Sequence, residues 1–230
     1  MPTFNDLYYY RLGNRSLRPE KANEYNMGIT WSRSFSSFLN YLSVTVDGYY
    51  NDVTDKIVAF PTTYAWKMAN YGKVHVTGMD ATLAAAASLG KNTVLVVSGG
   101  YTWQKAIDLT DATSKSYKDQ LPYTPKHSGN VSAVLEMPWV NVGYSIVGVS
   151  ERYSMSQNIP ENRIDGYMEH TVSLSRNFSF RHCKLRLQAE IINLTDTQYD
   201  VIKYYPMPGR SWRSASPHPR SWRLTGTIEF

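Results

Sequence analysis

The stretch Lys184-Leu185-Arg186-Leu187-Gln188-Ala189-Glu190-Ile191 decides the fold, because every even position is charged or an amide and every odd position is apolar. A period of two places these sets on opposite faces of an extended strand, one wet and one dry. The end of the chain repeats the pattern. Trp222, Leu224, Gly226, Ile228 and Phe230 fall on one face, and Arg223, Thr225, Thr227 and Glu229 on the other.

The same period, followed backwards, predicts strands over 22–34, 39–51, 74–89, 92–104, 131–139, 141–150 and 168–178. With the two above this makes about nine, many of them longer than the usual five or six residues of a globular sheet. Strands of that length suit a tilted membrane wall better than a sandwich. The connections alternate in kind. Short turns fall at 35–38, 89–92, 138–141 and 179–182, and long polar connections at 52–70, 107–124, 154–164 and 195–220. Short turns on one side and long loops on the other is the layout of an outer-membrane barrel. An odd count of alternating strands leaves the first and last parallel, so this stretch is expected to be part of a larger barrel rather than a closed one.

Composition agrees. The 230 residues include 18 tyrosines and only 19% charged residues, a vocabulary that fits a pleated, partly buried surface. No run approaches the roughly 20 apolar residues of a membrane helix, whereas barrel strands average to neutral hydropathy. The net charge of +5 comes without any run of five basic residues, so no nucleic-acid partner is expected. The opening Met1-Pro2-Thr3-Phe4 has neither basic nor apolar leader character, which places any export signal upstream. The single Cys183 cannot form an internal disulfide or a multi-cysteine metal site and reads as a small hydrophobe near a turn. Trp31, Tyr41, Tyr49, Tyr50, Trp103, Trp139, Tyr144, Tyr153, Tyr167, Trp222 and Phe230 gather toward strand ends, where an interfacial girdle would put them.

Ordered motifs add a family likeness. Pro2-Thr3-Phe4-Asn5-Asp6-Leu7-Tyr8, Gly13-Asn14, Leu17-Arg18-Pro19-Glu20 and Glu24-Tyr25-Asn26-Met27-Gly28 come first. Then follow Tyr49-Tyr50-Asn51-Asp52 with Asp55-Lys56-Ile57, and Asn70-Tyr71-Gly72 with Thr77-Gly78-Met79-Asp80. Ile192-Asn193-Leu194-Thr195-Asp196-Thr197-Gln198-Tyr199 and Tyr205-Pro206-Met207-Pro208-Gly209-Arg210 close the series. In order and spacing they resemble the TonB-dependent receptors, with cobalamin and siderophore receptors the closest likeness.

The resemblance implies an all-β, antiparallel transmembrane barrel in part, about nine C-terminal strands of a barrel of roughly 22. Residues 1–230 would then be the C-terminal portion, without plug domain or earlier strands, in the bacterial outer membrane. It also implies outer-membrane lipid and the barrel-assembly machinery as partners, with TonB reached only through the missing plug. A ferric chelate or cobalamin would be the ligand. Trp222, Leu224, Gly226, Ile228 and Phe230 are similar to the signal read by the assembly machinery. One departure stands out: Arg210-Ser211-Trp212-Arg213 recurs as Arg220-Ser221-Trp222-Arg223, which leaves the register of the last hairpin open.

No nucleophile elbow, phosphate loop or dinucleotide motif occurs, and His75, His127, His170, His182 and His218 have no metal-ligand spacing. No enzyme activity, catalytic residue, metal or cofactor is therefore expected. Asn193 and Asp196, beside a strand end, are suited to bonding free backbone groups where a ladder stops. Ligand contacts are expected from Tyr64, Trp66, Lys67, Tyr117, Tyr153, Arg163, Tyr204 and Arg210, whose aromatic faces and positive charge suit a bulky anionic chelate. The rivals are another outer-membrane barrel, such as a passive porin or a hydrolase, and a soluble β-sandwich binding module.

Overall fold

A computed structural model describes residues 1–10, 12–61, 66–181, 183–203 and 219–229. A short helix, α1 (Phe4–Tyr8), precedes the strands β1 (Lys21–Ser34), β2 (Leu39–Pro61), β3 (Trp66–Gly90), β4 (Thr93–Asp108), β5 (His127–Glu136) and β6 (Asn141–Val149). After these come a two-residue pair, β7 (Arg152–Tyr153) and β8 (Arg163–Ile164), then β9 (Tyr167–Ser179), β10 (Lys184–Ile192) and β11 (Ser221–Glu229). Nine of the strands form one sheet in the order β1-β2-β3-β4-β5-β6-β9-β10-β11, each antiparallel to its chain neighbours. The sheet is open, with β1 and β11 at its edges.

Two adjacent registers show why these residues form this sheet. One row runs across all nine strands as Arg33, Leu42, Ala85, Val97, Ala133, Tyr144, Val172, Ile191 and Trp222. One step along each strand, the row becomes Ser32, Ser43, Ala84, Ser98, Ser132, Ser145 and Thr171. Alternation thus sorts the wall into an apolar face and a polar face of small hydroxyl side chains. On the apolar face Met27 is 77% exposed and Leu224 81%, so nothing within the chain covers it. A compact hydrophobic cluster forms instead on the polar face at the long-connection end, where Leu121 packs against Val74 and Ala106.

Two expectations are corrected. The stretch 52–70 was expected to be a long loop. The β2–β3 ladder instead runs through it to Pro61 and Trp66, so most of that connection is wall extended beyond the bilayer band. Val131 and Trp139 do not bound β5, which runs from His127 to Glu136 and stops before Pro138, a residue with no N–H to give the ladder. The register of the last hairpin is set by the second Arg-Ser-Trp-Arg copy, which pairs Trp222 with Ile191, while the first copy lies outside the described residues.

The aromatics also divide. Trp31, Tyr50, Trp103, Tyr144 and Trp222 share the apolar face, but Tyr49 lies on the polar face over Gly78, where a side chain would collide with its ring. Helix α1, which strand periodicity does not reveal, is set by a capping box: Thr3 N–H donates to Asp6 Oδ2 (2.7 Å) and Asp6 N–H to Thr3 Oγ1 (3.2 Å).

The two faces differ in what they tolerate. Val131→Arg, on the apolar face of β5, is expected to cost the assembled barrel about 2–4 kcal/mol, whereas Ser132→Arg on the polar face costs little. Guanidinium unfolding of the barrel in lipid vesicles measures both, and equal losses would contradict the assignment of faces.

Candidate functional site

The long connections carry the polar chemistry, and three of them converge above the polar face. Asn193 ends the β10 ladder in the left-handed region at φ 52°, a conformation asparagine tolerates, and is fully buried. Its Nδ2 donates to Thr197 O (3.0 Å), and its Oδ1 accepts from Thr197 N–H (2.9 Å). Asp196, also at positive φ, accepts from Arg220 N–H (2.9 Å), so both residues do bond backbone groups at the end of the ladder. That tight turn aims Tyr199 back over β9. Its ring stacks on Tyr167 with centroids 3.7 Å apart, and its hydroxyl donates to Glu169 Oε2 at 2.5 Å.

Arg152 ties this turn to the preceding connection. It is 5% exposed, its Nη2 donates to the carbonyls of Asp200 (2.6 Å) and Val201 (3.1 Å), and its guanidinium lies 5.9 Å from the Tyr167 ring. Burial pulls the Arg152 pKa down, opposed by Tyr167, Tyr123 and Asp200, but an arginine keeps its charge. Burial likewise pushes the Tyr123 phenol up.

The connection after β4 is stitched to the one after β6. Gln120 N–H donates to Asn158 Oδ1 (2.8 Å), Asn158 Nδ2 donates to Gln120 O (3.0 Å), and Asn158 N–H donates to Asp119 Oδ2 (3.0 Å). Gln120 is buried, and its side chain also bonds the backbones of Ala106, Gln104 and Thr124. The result is a set of braced loops.

The expected ligand contacts are distributed over this end. Tyr153 and Arg163 stand opposite each other as register partners in the β7–β8 pair, and Tyr153 O accepts from Tyr123 N–H (2.7 Å). Arg163 is ion-paired with Glu151 (3.0 Å) and Asp165 (3.1 Å) and lines a cleft of about 220 Å³ with Tyr199 and Lys203. Tyr117 is half-buried beneath Lys118, whose Nζ lies 5.3 Å from the ring centroid, and Lys67 is exposed near the start of β3. No described contact joins these two to the Tyr153–Arg163 pair. Trp66 opens β3, while Tyr64, Tyr204 and Arg210 lie outside the described residues. Trp222, Leu224, Gly226 and Ile228 alternate along the apolar face of β11, and Phe230 is outside the described residues. Sequence reasoning missed Arg152, because the carbonyls it binds are 48 and 49 residues away.

A long-stranded antiparallel sheet with one continuous uncovered apolar face, short turns at one end and braced polar loops at the other, is the wall of an outer-membrane β-barrel. Residues 1–194 match the family model described as TonB dependent receptor-like, beta-barrel, and the chain belongs to that family of bacterial outer-membrane proteins. Its sequence is similar to the vitamin B12 transporter BtuB of Vibrio vulnificus, 24% identical over 222 residues that cover 92% of this chain and 32% of that protein. The fold is similar to that of the ferric-catecholate import receptor Fiu from E. coli K12, with TM-score 0.61, 22% identity, and coverage of 93% of this chain and 28% of that one. It is also similar to the siderophore receptor PiuA from Acinetobacter baumannii, with TM-score 0.63, 18% identity, and coverage of 94% and 30%. The chain thus spans about a third of the length of the curated relatives it matches.

Arg152→Ala removes two charge-assisted bonds worth about 1.5–3 kcal/mol each. It is expected to raise the rate of proteolytic cleavage within 150–166 and 193–203 by at least about tenfold. Arg163→Ala, which breaks exposed ion pairs, should leave that rate within about twofold. Mapping the cleavage sites by mass spectrometry checks both, and matching rates would contradict the bracing role.

Proposed function

We propose that this chain supplies the C-terminal part of the barrel wall, and three of the outer loops, of a receptor that captures a bulky metal chelate or a cobalamin and carries it inward. The observation that carries this reading is the bracing of three long connections over the polar face, around the buried Arg152 and the Tyr167–Tyr199 stack. A passive pore gains nothing from braced, aromatic and cationic loops above its lumen, whereas a receptor needs a preorganised mouth. The printed functions of the similar proteins, vitamin B12 transport and ferric-catecholate import, point the same way.

In this reading the longer receptor contributes a plug and the remaining strands, and TonB acts through that plug. Lys67, Tyr117, Tyr153 and Arg163 offer the ligand aromatic faces and positive charge, together with Tyr64, Trp66, Tyr204 and Arg210. The Tyr153–Arg163 pair is the best placed, because it borders the cleft shared with Tyr199. The barrel-assembly machinery reads the alternating face of β11, from Trp222 to Phe230.

The full receptor, purified in detergent, is titrated with cyanocobalamin and with a ferric tris-catecholate while its tryptophan fluorescence is followed. Saturable binding of one of the two is expected, at about micromolar Kd or tighter, weakened at least about tenfold by the double variant Tyr153→Ala/Arg163→Ala. Uptake in cells should stop when the proton gradient is collapsed. Non-saturable uptake that survives loss of the gradient would instead identify a passive pore.

A further inference from the structure

The apolar face carries a groove that barrel closure does not require. Gly129 on β5 and Gly148 on β6 are register partners, with Tyr101 on one side and Met168 on the other. With Val131 and Ile146 they outline a space of about 420 Å³. A Cβ at Gly148 would meet nothing closer than Met168 Cγ at 3.8 Å, and its φ lies outside the left-handed region. The backbone therefore does not need glycine at Gly148. What the glycine supplies is room. Gly129 differs, because a Cβ there would stand 2.9 Å from the Gly100 carbonyl oxygen, a separation side chains do not tolerate.

One end of the groove is polar. Tyr101 Oη and His127 Nδ1 lie 2.7 Å apart. The same unit recurs as Tyr144 and His170, with Oη and Nδ1 2.8 Å apart, and as Tyr50 and His75, whose rings meet edge-on at 5.6 Å. In each, the histidine follows two residues beyond the tyrosine's register partner, toward the long connection: His127 from Gly129, His170 from Val172, His75 from Thr77. All three units belong to hairpins closed by long connections, and all lie on the apolar face. With the phenol donating to Nδ1, His127 keeps its proton on Nε2 and turns an N–H donor away from the sheet. An apolar groove ending in such a donor suits a molecule with a hydrocarbon tail and an anionic head.

We propose that the groove over Gly129 and Gly148 seats one acyl chain of a membrane phospholipid, whose phosphate accepts a hydrogen bond from His127 Nε2. This site goes beyond ligand uptake and rests only on the apolar face meeting the bilayer. The surface around the groove is continuous with that face, so lipid is the occupant already in contact with it.

The intact receptor in a mild detergent is titrated with dimyristoyl phosphatidylethanolamine, and bound lipid is counted by native mass spectrometry. One retained phospholipid is expected, with affinity reduced at least about tenfold in Gly148→Val. Ile146→Trp, which fills the groove from its wall, gives the same loss should Gly148→Val fail to fold, and Ala133→Val on the same face gives none. His127→Phe retains dimyristoylglycerol, which has the same chains without phosphate, but loses the preference for the phospholipid. Equal retention in the filled variants, or no retained lipid in the folded wild type, would overturn the proposal. So would displacement of the lipid by inorganic phosphate, or a dimer that Gly148→Val dissociates, which would assign the groove to a free anion or to a second copy.

Discussion

Hydrocarbon offers no partner to a peptide N–H or C=O, and every other feature of this chain follows from that constraint. The only remedy for an extended backbone is a neighbouring strand on each side, so the sheet must be continuous. The ladders run unbroken from β1 to β11. Once the backbone is satisfied this way, the side chains of each strand are divided between two solvents. The row from Arg33 to Trp222 meets hydrocarbon, and its neighbour, from Ser32 to Thr171, meets the lumen. A face as apolar and uncovered as the first would drive association in water, but in a bilayer it is the natural boundary. Arg33, at the short-turn end of that row, lies 5.3 Å from the Phe35 ring, a position from which its long stem reaches the interface. The same constraint leaves β1 and β11 each with one neighbour in the sheet, which suits a wall completed by further strands.

Beyond the membrane band, water returns and the rules change. Backbone groups there are satisfied by side chains rather than by ladders, and the described loops show it in detail. Asn193, Asp196, Gln120 and Asn158 each bond backbone groups at a strand end or across two connections. The N-terminal segment is held the same way. Asn70 Nδ2 donates to Arg18 O (3.0 Å) and Asp55 O (2.6 Å), while Arg18 pairs with Asp55 at 2.5 Å. These contacts turn long polar connections, which would otherwise sample many conformations, into a braced mouth. A receptor depends on that order to recognise a ligand.

The strands were legible because alternation is a local signal that a bilayer enforces at every position. Lys184–Ile192 shows this best, with each side chain on the face its parity assigns. The strict alternation of short and long connections was equally legible, since Gly, Pro and polar residues mark turns locally. Loop structure was not. The extension of β2 and β3 past Asp52 escaped notice because Asp55, Lys56, Asn70 and Lys73 are polar on a stretch already outside the bilayer, where alternation carries no penalty for failing. Helix α1 had a readable signal in Thr3 and Asp6, one turn apart. Arg152 had none, since an arginine in a polar loop looks like any other until the chain brings the turn at Asp200 beneath it. The Tyr–His units were hidden for a related reason: their members are 25 or 26 residues apart, and only the register makes them neighbours.

The division of each strand between lipid and lumen is tested most directly by single cysteines placed along β5 in the intact receptor, with Cys183 replaced by serine. Residues 130 to 133 are labelled in turn with a membrane-impermeant maleimide and, separately, with an environment-sensitive fluorophore. Cysteines at Asn130 and Ser132 should react with the impermeant reagent and report water. Those at Val131 and Ala133 should resist it and report hydrocarbon. Equal reactivity at all four positions would contradict the account, because a strand buried in a soluble core or exposed in a loop would show no such two-residue alternation.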